Sequence, residues 1–285
     1  MRNQEHDAEL EQALQEIEKW EREQKDLSLF DKIGRLPFTL LERFTPAGLQ
    51  RKISELLDEL GAYLQTGGKY LVQKKHVLNK LQAKRAEMDA ASAGRRAGPD
   101  PALAQSLPLA VCDAVAADVM EANKKMAFAQ GATTGFGGLF TLAADIPAVL
   151  GLALKVLQET AICYGFDPDD PRERVFIVKC MQFTTSDVEG KQAILKDVSD
   201  YDNPERERAG LSEMQGWRET MASLADSFGW KKLFQTIPVV GMVFGSISNR
   251  SLIQDMAETG QYLYRKRAIL ARLQAVKVKN QAAPE

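Results

Sequence analysis

The chain has 285 residues, of which 45% are hydrophobic, so it can bury a sizeable core in one or two domains. Its 37 Lys and Arg residues against 39 Asp and Glu residues give a formal net charge of −2, which gives no reason to expect nucleic acid as a partner. Three cysteines without the spacing of a disulfide framework indicate a reducing compartment, and the acidic N-terminus lacks the apolar core of a signal peptide. We therefore expect a cytoplasmic protein.

Helical signals extend over nearly the whole chain, and the period-2 alternation that marks strands is almost absent. The sequence therefore predicts an all-α, multi-helix bundle. The first helix is amphipathic, because four large apolar residues recur in it at steps of three and four: Leu10, Leu14, Ile17 and Trp20. Residues 5–26 carry nine acidic side chains against three basic ones. We expect an acidic helical arm over residues 1–30 and a separate helical domain over residues 31–280.

Capping signals and composition divide the next part of the chain. Thr45 followed by Pro46 begins a predicted helix, since threonine caps helix N-termini and proline suits the first helical position. A basic helix comes after it. Residues 90–102 then combine alanine, serine, glycine and proline, a composition typical of flexible linkers, so we expect a flexible internal loop there.

Residues 131–164 form the most apolar stretch of the chain, and from 132 to 154 the only charged side chain is Asp145. About 20 apolar residues suffice to cross a bilayer. A central Asp costs about 3 kcal/mol, however, which nearly cancels the gain from the large apolar side chains. We predict a glycine-rich helical hairpin, broken at residues 144–147, with Asp145 as the N-cap of its second helix and Gly165 as the stop. Burial in the bundle and brief membrane contact both fit this pattern.

Two blocks of sequence carry a family resemblance. The first consists of the glycine-rich turn, then Asp145-Ile146-Pro147, then an apolar helix that ends in residues 158–166, and last the acidic turn at residues 167–171. The second runs from Lys232 to Gly241 and continues through Ser248-Asn249-Arg250 to Tyr264-Arg265-Lys266-Arg267. Over residues 36–270 the chain resembles the EcsC family of bacterial proteins, with the N-terminal helix outside the match. The family is named for a protein encoded beside an ABC transporter, so the resemblance implies a transporter as a partner and implies no particular reaction.

The residue types that most catalytic motifs need are scarce. There are only two histidines, both in charged helices, and the glycines of residues 131–138 do not follow a nucleotide-binding motif. We predict no cofactor. The catalytic candidates are Asp145 and Glu159, which share a helix face but lie about 21 Å apart along its axis, too far to share a proton or a metal. We expect Glu159 to pair with Lys155 or with a base on another helix.

An acidic turn follows the apolar helix. Asp167, Asp169 and Asp170 lie close to Glu173, and carboxylate oxygens of this kind attract Ca²⁺ or Mg²⁺. The spacing differs from that of an EF-hand loop, and Asp170 with Glu173 also forms the pattern of a capping box at the start of the next helix. We therefore predict no bound metal, with these three aspartates as the candidate ligands if one binds.

Two groups of residues suit contact with an anionic membrane surface. A tryptophan and two lysines precede the apolar run of residues 233–247; with Phe234 of that run we call them the collar residues. The last helix is basic toward its end. Solvated helix faces are the ordinary explanation of such charge runs. The predicted lipid-binding residues are Trp230, Lys231, Lys232, Phe234, Arg265, Lys266, Arg267 and Arg272.

Three functions fit these observations. The leading one is a non-enzymatic cytoplasmic protein that associates peripherally with the inner face of the membrane and assists a transporter. The second is a hydrolase or lipid-modifying enzyme that uses Asp145 and Glu159. The third is a soluble homo-oligomeric scaffold, because glycine pairs at 131 and 135 and at 241 and 245 allow helices to approach closely.

Overall fold

The computed structural model of the chain describes residues 7–26, 58–67, 72–89, 103–134, 139–186, 188–199, 201–202 and 230–281. Within these ranges, side chains are described except at 130–148, 185, 230–250 and a few helix ends. Each element in this part of the chain is a helix, which confirms the predicted all-α bundle. In chain order the elements are α1 (Asp7–Asp26), a helical stretch over residues 58–66, α2 (Lys74–Asp89), α3 (Leu103–Ser106), α4 (Leu109–Thr134), α5 (Leu139–Cys163), α6 (Pro171–Thr185), α7 (Val188–Ser199) and α8 (Trp230–Gln281). The predicted loop at 90–102 and the helix start at Thr45 lie outside the described residues.

Helix α1 packs into the common core and is not a separate arm. Its apolar stripe is buried: Leu10, Ala13, Ile17 and Trp20 all belong to the same hydrophobic cluster as the cores of α4, α5 and α6. The Trp20 ring stacks on Tyr262 of α8 with 4.4 Å between ring centroids, and its indole nitrogen donates to Glu258 at 3.2 Å. The predicted boundary at residue 30 therefore does not separate two cores, because the apolar face of the amphipathic helix has found its partner within the chain.

Helices α4 and α5 form an antiparallel hairpin. Asn123 of α4 lies opposite Glu159 of α5, and Asp113, near the start of α4, lies opposite Tyr164, just after the end of α5. The connection between them falls at residues 135–138. A helical hairpin is therefore present, but α4 and α5 form it, and its two helices do not meet at residues 144–147 as predicted.

The predicted helix break at residues 144–147 is wrong. Helix α5 is continuous from Leu139 to Cys163, so Asp145 is an interior residue of the helix and not its N-cap. A proline inside a helix costs about 3 kcal/mol. The leucines and alanines on both sides of Pro147 are strong helix formers, which favours one continuous helix over two short ones.

The end of α5 and the start of α6 follow the predicted signals. Gly165 has φ of +87°, and the N–H groups of Gly165 and Phe166 donate to the carbonyls of Ile162 and Ala161, so the glycine ends the helix as expected. Asp170 caps α6 by accepting from the Arg172 N–H at 2.8 Å. The capping box is only half formed, since Glu173 points into the core.

Helix α8 is the longest element, with 52 residues, and it packs against α1, α4, α5 and α6. It runs antiparallel to α4, because Arg272 reaches Leu107 and Arg265 reaches Asp113. It approaches α5 closely at Gly260, where an added Cβ would lie 2.6 Å from Leu157 Cδ2. Arg265 contacts Asp113, and α4 ends 21 residues further on, at Thr134. Because the two helices run in opposite directions with the same rise per residue, the part of α8 level with that end is at about residue 244. The first half of α8 therefore lies at the hairpin tip and runs past it.

Candidate functional site

The most enclosed charged group of the described residues is centred on Arg267 of α8, which is 5% exposed. Its two terminal nitrogens donate to the two carboxylate oxygens of Glu173 at 2.7 and 2.8 Å. Its Nε and one terminal nitrogen donate to Asp202 at 2.8 and 2.6 Å. Both edges of the guanidinium are therefore occupied by carboxylates from other elements. We call Arg267, Glu173 and Asp202 the Arg267 cluster.

Aromatic rings enclose the same guanidinium. Its central carbon lies 4.1 Å from the ring centroid of Phe166 and 4.2 Å from that of Phe176, with Tyr201 and Tyr264 further out. Burial alone would lower the pKa of Arg267, but the hydrogen bonds to Asp202 and Glu173 outweigh burial and raise the pKa above its ordinary value. Arg267 therefore stays charged and joins α8 to α6 and to the turn after α7. It has no free edge for a lipid headgroup, so its predicted role in lipid binding is wrong.

The two preceding residues of α8 point to the side of the bundle covered by α1. Arg265 donates to Asp113 of α4 at 3.0 Å and to Glu16 of α1 at 3.2 Å. Lys266 donates to Glu21 of α1 at 2.7 Å. The acidic face of α1 thus neutralises part of the basic helix that we expected to face lipid.

Asp113 joins this group to the end of α5. Tyr164 donates its hydroxyl to Asp113 at 2.7 Å. Burial raises the pKa of Asp113 above its ordinary value, and the hydrogen bond from Tyr164 and the charge of Arg265 offset only part of that rise. Arg272, the last basic residue of the predicted lipid set, donates to the Leu107 carbonyl at 3.0 Å. Four of the six basic residues of that set are therefore engaged within the chain: Arg265, Lys266, Arg267 and Arg272.

The collar residues occupy the first five positions of α8. Trp230, Lys231, Lys232 and Phe234 are all helical, and their side chains lie outside the described part of the chain. Their lipid contact stays a prediction. The Asp145 side chain also lies outside the described residues.

Glu159 is held in a polar cluster between α4 and α5. It is 7% exposed and accepts from Asn123 Nδ2 at 2.8 Å and from Lys155 Nζ at 3.0 Å. Lys155 also donates to Asn123 Oδ1 at 3.0 Å, which closes a triangle of three side chains. The predicted pairing of Glu159 with Lys155 is confirmed. A carboxylate satisfied by a cation and an amide is suited to holding two helices together.

Lys74 fills the acidic turn after α5. Its ammonium group pairs with Asp167 and, at 2.5 Å, with Asp169. Burial opposes both charges, yet the hydrogen bonds between them raise the pKa of Lys74 and lower that of Asp167. Asp170 is used as the cap of α6. Among the described residues no group of three or more His, Cys, Asp or Glu side chains could hold a metal ion.

The hairpin-tip end of the bundle carries exposed apolar side chains. Met126 and Phe128, near the end of α4, are 48% and 47% exposed. Met88, 48% exposed, is near the end of α2, which starts beside the acidic turn and packs along α4 and α5 toward the tip. None of the helices, over the part of the chain that the structure describes, is both long and apolar enough to span a bilayer. Met126 and Phe128 lie two positions apart on α4, on either side of the buried Ala127 and so on different sides of the helix. We call the three exposed residues Met88, Met126 and Phe128 together the tip patch.

The carboxylate partners of the α8 cations were missed by the sequence analysis. Glu173 was assigned to a capping box, and Glu16 and Glu21 to a solvated face. A usable signal was present: Glu21 follows the buried Trp20 directly, and Glu173 lies three residues before the buried Phe176, so both sit beside a core stripe. Such boundary acids are placed to meet a cation from a neighbouring helix.

The fold and these clusters define a class of protein: a helical bundle arranged on one long C-terminal helix, with an apolar hairpin at one end. The chain belongs to the EcsC protein family, whose model matches residues 11–269. The match begins near the start of α1 and not at residue 36 as expected, which agrees with the packing of α1 into the core.

Two relatives from Bacillus subtilis (strain 168) are similar to this chain. One carries the name "Uncharacterized protein YdbA" and is 49% identical over 266 residues, which is 93% of this chain and 94% of the relative. The other is "Protein EcsC", 29% identical over 164 residues, which is 58% of this chain and 66% of the relative. No solved structure matches the chain.

Proposed function

We propose that this protein is a non-enzymatic helical protein that attaches reversibly to the cytoplasmic face of a membrane through the hairpin-tip end of its bundle. The observation that carries the proposal is the tip patch. Three of the five large apolar residues that are exposed among the described residues lie at this end. The two others, Leu270 and Val278, lie on the last turns of α8.

The sequence adds apolar material at the same end. Residues 131–148 contain the hairpin connection, and residues 233–247 belong to the half of α8 that the antiparallel register brings to the tip. Exposed apolar side chains next to an apolar stretch of sequence are typical of a site for lipid or protein contact, and the exposed ones here are the three of the tip patch. Full burial of a Phe or Met side chain contributes about 1.5–3 kcal/mol, so half-exposed residues contribute roughly half of that each on entering the interface.

Lysines lie near the tip, together with the acids Glu87 and Asp89 on either side of Met88. Lys125 is exposed between Met126 and Lys124 on α4, and Lys231 and Lys232 lie at the start of α8. A cationic residue close to an anionic bilayer contributes about 1 kcal/mol. Met126 next to Lys125 suits insertion of an apolar side chain below the headgroups with the ammonium group among the phosphates.

The enzyme hypothesis finds less support. Glu159 is bound by Lys155 and Asn123, and within the described residues it belongs to no cluster of three or more His, Cys, Asp or Glu side chains. A general acid or base needs a free path to a substrate proton.

We extend the proposal to the partner that the family resemblance implies, a membrane transporter beside which the attached protein would lie.

Vesicle flotation tests the proposal with matched variants. Met126→Asp together with Phe128→Asp places two charges in the tip patch, and Leu270→Asp together with Val278→Asp places the same charges on exposed apolar positions elsewhere. We expect the wild type and the second variant to float with phosphatidylserine-containing vesicles, and the first variant to stay in the soluble fraction at an unchanged melting temperature. Equal flotation of both variants would show that the tip patch is not the contact surface.

A further inference from the structure

A second cationic surface lies on the side of α8 that faces α1. Arg265 and Lys266 are adjacent in sequence, and each side chain is 16% exposed. Each takes a carboxylate from α1: Glu16 binds Arg265 at 3.2 Å, and Glu21 binds Lys266 at 2.7 Å. We call Arg265 and Lys266 the α8 rim.

The two pairs differ in what remains if α1 releases its carboxylates. Arg265 keeps Asp113, which binds it at 3.0 Å from α4. Lys266 has Glu21 as its carboxylate partner among the described residues. The Glu16 side chain is 56% exposed, so the outer pair is in contact with water in the folded protein. Glu16 can therefore turn away while Ile17 and Trp20 stay packed, whereas the Glu21 side chain is 15% exposed and must be displaced from an enclosed pair with Lys266.

We infer that Glu16 and Glu21 of α1 compete with anionic lipid headgroups for the α8 rim, and so set how tightly the protein binds an anionic membrane. This inference rests on the proposed membrane attachment. Carboxylates and lipid phosphates recognise ammonium and guanidinium groups by the same charge-assisted hydrogen bonds, so one rim cation cannot serve both fully at once. The carboxylates of α1 thus occupy the positions on the α8 rim that lipid phosphates would take.

The geometry sets how the bundle must lie. From the level of the hairpin tip, near residue 244 of α8, to Lys266 is about 22 residues, or roughly 33 Å along the helix. Engagement of both the tip patch and the rim therefore requires the long axis of α8 to lie along the membrane surface. Contact through the tip alone allows an upright bundle.

Vesicle partitioning of matched charge variants tests this inference. Glu16→Gln with Glu21→Gln removes the two α1 carboxylates from the rim and leaves Asp113 on Arg265. Glu11→Gln with Glu18→Gln makes the same change in net charge on the exposed face of α1. At low salt we expect the first variant to bind phosphatidylserine-containing vesicles about fivefold more tightly than the second, the gain from one freed cation. Adding Lys266→Gln to the first variant should remove that gain, and vesicles of phosphatidylcholine alone should show no difference.

The outcomes separate the inference from the proposed function. If the wild type floats and the two glutamine variants bind equally, competition at the rim is wrong and attachment through the tip stands. If neither the wild type nor any variant floats with either vesicle, membrane attachment itself is wrong and the inference is lost with it. Melting temperatures of the two variants within a degree or so of each other would confirm that packing of α1 is not what differs.

Discussion

Replacement of Arg267 by methionine tests whether the Arg267 cluster holds the bundle together. Methionine is close in length and apolar, so it can fill the space between Phe166 and Phe176. It removes four hydrogen bonds, two to Glu173 and two to Asp202. Asp202 is half exposed and can turn to water. Glu173 is 7% exposed and is left as a buried carboxylate without its cation.

Removal of one partner from a buried ion pair costs about 3–5 kcal/mol, because the remaining charge is uncompensated. At roughly 2 °C per kcal/mol for a chain of this size, the melting temperature should fall by about 6–10 °C. The apolar contacts of the new methionine recover only a part of this loss. A further Glu173→Met substitution should restore stability, since two apolar residues then replace the buried pair.

Thermal unfolding followed by circular dichroism measures the effect, with Arg272→Met as the control. Arg272 lies on the same helix and is half-buried; it donates to the Leu107 carbonyl and, at 3.9 Å, to Cys112 Sγ. Both acceptors are neutral, so its loss should cost only about 1–2 kcal/mol. Equal losses at the two positions, or a double variant at Arg267 and Glu173 that is less stable than Arg267→Met alone, would refute the assigned role of the cluster.

Three other predictions concern stability. Gly260→Ala should cost about 1–3 kcal/mol in chemical unfolding, because its Cβ would lie 2.6 Å from Cδ2 of the buried Leu157. Ala at Gly151, which is half-buried on α5, should cost less, and equal costs would contradict the close approach of α5 and α8. Lys74→Met should lower the melting temperature only within a pH window. The lowered pKa of Asp167 contributes stability above about pH 4, and this contribution is lost as the pH falls through the folded-state pKa. The raised pKa of Lys74 contributes stability that is lost above about pH 10. A difference from the wild type that persists in strong acid would contradict the pairing. Removal of residues 1–26 should expose the core beneath Ile17 and Trp20 and abolish a cooperative melting transition, and a truncated chain as stable as the wild type would show that α1 is an independent arm.

Local signals predicted the features that depend on neighbouring residues. The pairing of Lys155 with Glu159 follows from a spacing of four on one helix. Gly165 as a helix stop and Asp170 as a cap follow from residue types that suit those backbone positions. Each of these contacts is decided within a turn or two of the chain.

Contacts between distant helices could not be predicted in this way. Glu16 and Arg265 are 249 positions apart, and Glu173 and Arg267 are 94 apart. Their meeting depends on the order and direction in which helices pack, which hydrophobic periodicity does not specify. The basic run on α8 therefore resembled a free surface, although its members point to three different neighbours.

The error at Asp145 has a different origin. Asp145 and Pro147 are residue types that often begin a helix, which is why a helix start was predicted there. That prediction did not consider the residues before them. Leu139 to Ala144 form about a turn and a half of helix, and four of these six residues are the strong helix formers Leu and Ala, so the helix has already begun before Asp145. The same signals succeed at Asp170, which is preceded by a turn and not by a helix.

A fluorescent label at the hairpin tip tests membrane attachment most directly. The three native cysteines are buried, so Phe128→Cys or Val278→Cys offers one accessible thiol for an environment-sensitive dye. On vesicles containing phosphatidylserine, we expect the dye at position 128 to shift its emission to shorter wavelength and to become protected from an aqueous quencher. The dye at position 278 should change little in emission. If both dyes stay exposed to the quencher, or if only the dye at position 278 becomes protected, the protein does not attach to membranes through this end of the bundle.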